Sequence, residues 1–205
     1  MVAMSIASPA SARLYTPRLH LLAPNPDPTL GMARAIADFL ARNSAHFAPW
    51  DPPRTPDENT PEAVQGRLVS GAAAFDAGQG WRWWLALADA PQRLIGSVSL
   101  SNLSRGPFQN CSLGYSIDAL CQGRGLMHEA LQAVVAEAFS PAINLHRLQA
   151  GVRPENSRSL AVLARLGFAD EGLARDYLYI DGAWRDHVMT AMRNPAWPAD
   201  RAPPA

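Results

Sequence analysis

Gln122-Gly-Arg-Gly125 stands where an alternating apolar run ends at Ile117 and an amphipathic repeat begins at Leu126, Ala130, Val134 and Ala138. Glycines at a helix start let several backbone N–H groups converge without side-chain obstruction, and the helix dipole adds partial positive charge. The natural occupant is a phosphate or pyrophosphate, to which Arg124 could add a charge-assisted contact. A Walker loop would need Gly-Lys-Ser/Thr at its end, and none is present. A dinucleotide fingerprint would need a glycine where His128 stands and an early strand–helix–strand unit, and both are lacking. Taken alone, the segment reads equally well as a tight turn that binds nothing. A second segment, Arg153-Pro-Glu-Asn-Ser-Arg-Ser-Leu160, opens a helix that closes at Leu166-Gly-Phe168. Asn156, Ser157 and Ser159 there are all able to cap backbone amides.

These turns need a scaffold, and periodicity predicts one. Arg18–Leu22 alternates as a first strand, and Pro28–Arg42 and Pro61–Phe75 carry helical spacing. Arg82–Ala88, Leu94–Leu103 and Gln109–Ile117 are three consecutive strands with connectors short enough for hairpins. A helix over Gly125–Phe139, a strand over Leu145–Val152 and a helix over Ser157–Leu166 follow. The chain closes with an antiparallel pair, Gly172–Ile180 and Trp184–Met192, turned by Asp181-Gly182. Strands come first as meanders and then as strand–helix–strand, so the expectation is an α/β (α+β) domain with a mixed, mostly antiparallel sheet. Residues 1–12 and the Pro-rich 195–205 read as tails around a single domain over 13–194, and the Pro-rich Ala48–Pro61 reads as an ordered surface loop.

Composition limits the function classes. The chain has 205 residues, 18 Lys+Arg against 18 Asp+Glu, and 48% hydrophobic residues. That is one domain's worth of core without the basic excess of a nucleic-acid binder. No apolar run approaches the ~20 residues needed to span a bilayer. Cys111 and Cys121 are the only cysteines. They are too few for a disulfide framework or a four-thiolate zinc site, so a reduced, cytoplasmic setting and no metal are expected.

The two segments together, strand–Gln-x-x-Gly–helix and strand–Asn-x-x-Ser–helix–Gly-Phe, follow the pattern of the GNAT acetyltransferases. A closer resemblance, to the RimJ-type ribosomal-protein-alanine N-acetyltransferases, rests on further residues. They include His146-Arg147, Pro154-x-Asn156-x-Arg158-Ser159, Leu163-x-Arg165-Leu-Gly-Phe168, Glu171-Gly172, Asp176-Tyr-Leu178 and Asp181-Gly-x-Trp-Arg-Asp-His187. Upstream, Phe47-x-Pro-Trp50, Trp81-Arg82, Ser101-Asn102 and Arg105-Gly106 also fit. The resemblance implies acetyl-CoA as co-substrate in a fold whose strand ending at Ile117 splays from Leu145–Val152. The pantetheine arm would bond backbone at Tyr115, Ser116 and Ile117 like an added strand. The diphosphate would rest on Gln122, Gly123, Arg124, Gly125, Leu126 and Met127, although the family has Gly or Ala where Met127 stands. Asn156 would hold the cofactor arm or only cap its helix, and Ser159 would protonate the departing thiolate or only cap.

For the acceptor, Trp50, Asn102, Arg105 and Tyr177 lie on segments expected to rim the cleft. Trp81, Trp83 and Trp84 read as packing, His128 as helix surface and Cys121 as an ordinary thiol. Asp118, Asp176 and His187 are the general-base candidates, none singled out. An α-amine, with a reference pKa near 7.7–8.0, is roughly a tenth neutral at pH 7, whereas a lysine near 10.4 is almost wholly charged. A protein N-terminus, an alanine-starting ribosomal protein foremost, therefore needs only a weak base, in a monomer or homodimer. Rival expectations are a small-molecule amine acceptor (polyamine or aminoglycoside) and a non-catalytic CoA-binding or ribosome-assembly module.

Overall fold

The computed structural model describes residues 10–53 and 55–198. Its strands are β1 (Arg13–Tyr15), β2 (Leu19–Leu22), β3 (Trp81–Leu87), β4 (Ala90–Ser104), β5 (Asn110–Ile117), β6 (Arg147–Val152), β7 (Ala169–Ile180) and β8 (Ala183–Arg193). Its α-helices are α1 (Gly31–Arg42), α2 (Ser44–Phe47), α3 (Pro61–Asp76), α4 (Leu126–Phe139) and α5 (Ser157–Leu166). The strands make one eight-stranded sheet in the order β1-β2-β3-β4-β5-β6-β8-β7. Among the described residues β5 and β6 pair in parallel and every other pair is antiparallel.

Every element expected from periodicity is present, with ends moved by a few residues. β1 and the single-turn α2 had no expectation, because three strand residues or one helical turn are too few for a period to register. The expected start of α1 at Pro28 moves to Gly31, since Leu30 adopts a left-handed φ of 57° before the first turn. Of the two tails, residues 1–9 and 199–205 lie outside the described residues. Ser11 is tied down: its carbonyl accepts from Trp83 Nε1 at 2.9 Å and its N–H donates to Glu137.

β3 shows how the core is divided. Trp81, Trp83 and Leu85 point into a cluster shared with Leu126, Ala130, Leu131 and Val134 of α4. Trp84 and Ala86, one residue out of phase, join Ile36 and Phe39 of α1 and Val64 and Leu68 of α3. A strand buried on both faces reads as a continuous apolar run, and the period-2 alternation sorts it between helical layers. The tryptophans are packing groups, as expected.

One break in the sheet shapes everything else. β5 and β6 pair at Asn110↔Arg147, Cys111↔Leu148 and Ser112↔Gln149, and there the ladder ends. Yet β5 runs on to Ile117, held by β4 through Val98↔Tyr115 and Gly96↔Ile117. β6 runs on to Val152, paired along its whole length with β8. Each lip of the opening is thus supported from outside. The closed end is stitched by Arg105, whose guanidinium donates to Gln109 Oε1 (3.1 Å) and to the Ile143 carbonyl (2.9 Å).

Gly96 fits β4 to the outer lip. A Cβ there would lie 2.5 Å from the Ser116 carbonyl oxygen and 3.1 Å from Leu85 Cδ1. Gly96→Ala is therefore expected to cost about 1–3 kcal/mol by overpacking, read as a lowered denaturant midpoint. An unchanged midpoint would show that the two strands are not in this close approach.

Candidate functional site

The opening between β5 and β6 leads into a cleft of about 700 Å³. Its floor is the segment expected to bind phosphate. Asp118 follows β5 and caps a 3-10 turn at Ala119–Cys121 by accepting from Leu120 N–H at 3.0 Å. Gly123 (φ 72°) and Gly125 (φ 75°) then turn the chain into α4 in conformations L side chains rarely adopt. α4 has no side-chain cap, and its first internal bond runs from Glu129 N–H to the Gly125 carbonyl at 3.1 Å. The amides of Leu126, Met127 and His128 consequently have no acceptor within the helix. The Met127 side chain is buried in the core cluster.

Side chains brace that floor from three directions. Arg18 bonds the Arg124 carbonyl at 2.9 Å and, with Thr16, binds Glu129. Burial works to raise the Glu129 pKa, but hydrogen bonds from Thr16 and Arg18 and the Arg18 charge outweigh it and hold the carboxyl below its ordinary value. Gln122 accepts from Arg158 of α5 at 2.6 Å and contacts His46 Nε2 of α2 at 2.9 Å. Arg42 (2.8 Å) and Arg93 (3.3 Å) converge on Asp118, and Arg42 also reaches the Leu94 carbonyl.

Tyr115 crosses the opening. Its phenolic oxygen lies 2.5 Å from Ser159 Oγ and 3.2 Å from the Ser159 carbonyl. Burial, only partly offset by that hydrogen bond, pushes the phenol up to about 12, so it keeps its proton at neutral pH. Asn156 caps α5, its Oδ1 accepting from Ser159 N–H at 3.1 Å. The capping reading therefore holds for Oδ1, and Nδ2 is what Asn156 has left to offer a ligand.

Tyr115, Ser116, Ile117, Gln122, Gly123, Gly125, Leu126, Met127, Asn156, Ser159 and Trp50 all line this cleft. Four expected residues do not. Arg124 is exposed, contributing its carbonyl to Arg18, and the arginines on the cleft wall are Arg158 and Arg165. Arg105 belongs to the closed end of the sheet, where its distant backbone partners occupy it. Asn102, in a β4 irregularity with φ 52°, donates to Ser112 Oγ at 3.3 Å beside the last β5–β6 pair. Tyr177 stands on the edge strand β7, its ring 5.3 Å from that of His187. The base candidates fare similarly. Asp118 is an anchor for Arg42 and Arg93, His187 is buried with Nδ1 3.0 Å from the Arg185 carbonyl, and Asp176 N–H bonds Asp186. None of the three lines the cleft. Cys121 does, with its thiol pKa raised mainly by burial.

A second cavity, about 340 Å³, lies on the α1/α3 side of the sheet among Phe39, Phe47, Trp84, Arg67, Arg82 and Ser97. Periodicity offered no sign of it, because its walls come from segments far apart in sequence.

The cleft thus enters the sheet at a broken parallel pair and is floored by uncapped amides at a glycine-rich helix start. Residues 18–169 match the Acetyltransferase (GNAT) domain, and the chain belongs to the GNAT acetyltransferase family. It is an acetyltransferase, and acetyl-CoA is its acetyl donor. The chain is 42% identical to ribosomal protein uS5-alanine N-acetyltransferase of Escherichia coli (strain K12) over 167 residues, 81% of this chain and 84% of that protein. It superposes with a TM-score of 0.85 on ribosomal-protein-S5-alanine acetyltransferase from Vibrio fischeri, 34% identical, covering 92% of this chain and all of that one. Against Mycobacterium smegmatis RimJ in complex with CoA-disulfide the TM-score is 0.77, at 29% identity, covering 85% of this chain and 81% of that one. The residues fit the donor: nothing lies within 4 Å of where a Gly123 Cβ would project, and the amides beside it are unclaimed by the helix. Among the described residues no group of three His, Cys, Asp or Glu could hold a metal, and no helix is long and apolar enough to cross a membrane.

Asp118 supplies a pH test of the site's foundation. Burial opposes its charge, but bonds from Arg42, Leu120 and Asn43 and the Arg42 charge prevail, and its pKa is lowered. A depressed carboxyl contributes stability that is present above its unfolded value near 3.9 and is lost as pH falls through the lower folded value. Asp118→Asn, which leaves Arg42 and Arg93 without their charge partner, is expected to cost about 2 kcal/mol at pH 7. It should also flatten the fall in stability below about pH 4. A mutant whose acid limb parallels the wild type would rule the anchor out.

Proposed function

We propose that this enzyme, working in the cytoplasm, acetylates the N-terminal α-amino group of a protein beginning with alanine, a ribosomal protein foremost. The 42% identity to an enzyme named for that reaction supports the acceptor. The observation that carries it is the meeting of the two cavities: Tyr115 and Ser116 line both, so a donor in one and an acceptor in the other share a wall at the break in the sheet. The smaller cavity disfavours a polycation, because its ionisable lining is Arg67 and Arg82 against Asp51. An α-amine, partly neutral at working pH, suits a site without a dedicated strong base.

The residues take the following parts. The Gln122–Met127 turn receives the diphosphate on its amides, with Arg158 and Arg165 adding charge. The unpaired edge at Tyr115–Ile117 bonds the pantetheine arm as an added strand would, and Asn156 Nδ2 reaches the arm from α5. Backbone N–H groups at the opening polarise the acetyl carbonyl, and positioning supplies much of the rate. As the C–S bond breaks, its electron pair stays on sulfur and Ser159 Oγ supplies the proton. Tyr115, a neutral phenol 2.5 Å away, holds that hydroxyl in place and resupplies it.

A panel of acceptors tests the reaction. Thiol release with acetyl-CoA should proceed at least tenfold faster with short peptides beginning with alanine than with spermidine-type amines; the reverse order would overturn the acceptor assignment. Ser159→Ala should lower kcat about tenfold or more with acetyl-CoA affinity nearly unchanged, since proton transfer typically contributes ~10²–10⁴-fold and a water can replace part of it. Equal kcat in the mutant would remove Ser159 from the mechanism.

A further inference from the structure

Asp118, Asp176 and His187 all lie away from the cleft, which leaves open what receives the acceptor's nitrogen. The two cavities share Phe47, Asp51, Tyr115 and Ser116, and among the described residues Asp51 is the sole carboxylate lining either one. The chain around it is braced. Asp51 N–H donates to the Phe47 carbonyl at 3.0 Å, turning the residue back over α2. Arg153, just past β6, donates to the Pro49 carbonyl and stacks 5.5 Å over the Trp50 ring. The inner lip of the opening therefore fixes the loop that carries Asp51 against the junction.

We propose that the Asp51 carboxylate binds the acceptor's α-amino group at this junction and takes its proton during transfer. The inference rests on the N-terminal acetylation reading and names the group that performs it. A neutral amine donates one N–H to Asp51, which directs its lone pair toward the acetyl carbonyl. As the C–N bond forms, the nitrogen becomes positive and acidic. The carboxylate stabilises that charge across a partly desolvated gap and accepts the proton. The C–S bond then breaks, and sulfur receives a proton from Ser159. One proton leaves nitrogen and one arrives on sulfur; Asp51 gives its proton to water, and Ser159 recovers one from Tyr115, which is reprotonated from water in turn, so amine and thioester become amide and thiol. The sequence offered only an acidic residue within a Pro-rich loop, which by itself has no address in the fold.

The test compares wild type, Asp51→Asn and Asp51→Glu on a peptide beginning with alanine. Asp51→Asn keeps the size of the side chain and removes its charge. Its kcat should fall thirtyfold or more while the affinity for acetyl-CoA stays within twofold, and Asp51→Glu should recover at least a third of the loss on a logarithmic scale. A binding measurement separates this from a structural role. The wild type should bind the free-amine peptide at least tenfold more tightly than the same peptide already N-acetylated, and Asp51→Asn should bind the two alike. Wild-type kcat in Asp51→Asn, a parallel loss of acetyl-CoA affinity, or an undiminished preference for the free amine would each overturn the role. No turnover by the wild type itself would instead strike the acceptor assignment, and this role would fall with it.

Discussion

A β-strand inside a sheet carries backbone donors and acceptors on both edges, and burying them without partners is costly. The parting of β5 from β6 after Ser112↔Gln149 leaves two such edges facing each other across an opening. This protein tolerates the break because each lip keeps its outer partner, β4 for β5 and β8 for β6. The inner edges are left for a ligand that can itself hydrogen bond along a strand, and a pantetheine arm with two amides has that form. In the proposed binding mode the cost of the open sheet becomes affinity for the donor. Side chains that cross the gap, Tyr115 to Ser159 and Gln122 to Arg158, set its width at two levels.

The same break explains why two neighbouring residues line both cavities. Tyr115 and Ser116 point to opposite faces of β5, as adjacent strand residues must. In a closed sheet one would face the α4/α5 layer and the other the α1/α3 layer with no communication. Here the sheet is open beside them, and each lines both cavities. In the proposed reaction acceptor and donor approach from opposite faces and meet within the thickness of a single strand.

What the sequence made legible was local. The glycines of Gln122-Gly-Arg-Gly125, the cap at Asn156 and the hairpin at Asp181-Gly182 act through dihedral angles and hydrogen bonds over a few residues, and they occur where spacing placed them. The splay was legible only through family resemblance, since no residue type marks where a ladder stops. Arg105 and Asn102 stand apart from the cleft lining for a related reason. Arg105 sits at the closed end and Asn102 beside the last β5–β6 pair, and linear proximity to β5 does not say which end of the strand a connector joins. Arg18 went unnoticed although it braces the glycine turn before α4, because its partners Arg124 and Glu129 are more than a hundred residues away. Asp51 fell in the same blind spot: α2 is too short for a period, and its loop gains meaning only through Arg153.

Charge is arranged along the cleft as well as around it. Glu129 occupies the first turn of α4, where an acidic side chain suits the helix dipole but repels a bound anion. Arg18 and Thr16 absorb that charge, and neither they nor Glu129 line the cleft, so less of it bears on the amides of the turn. Arg158 and Arg165 line the cleft, and among the described residues Asp51 is its one acidic lining residue. In the proposed reaction the phosphates of the donor meet the amides and arginines, and the amine meets the Asp51 carboxylate where the two cavities share a wall. On that reading the charges orient both reactants, and the chemistry asks little more of the protein than to hold nitrogen, carbonyl and sulfur in line.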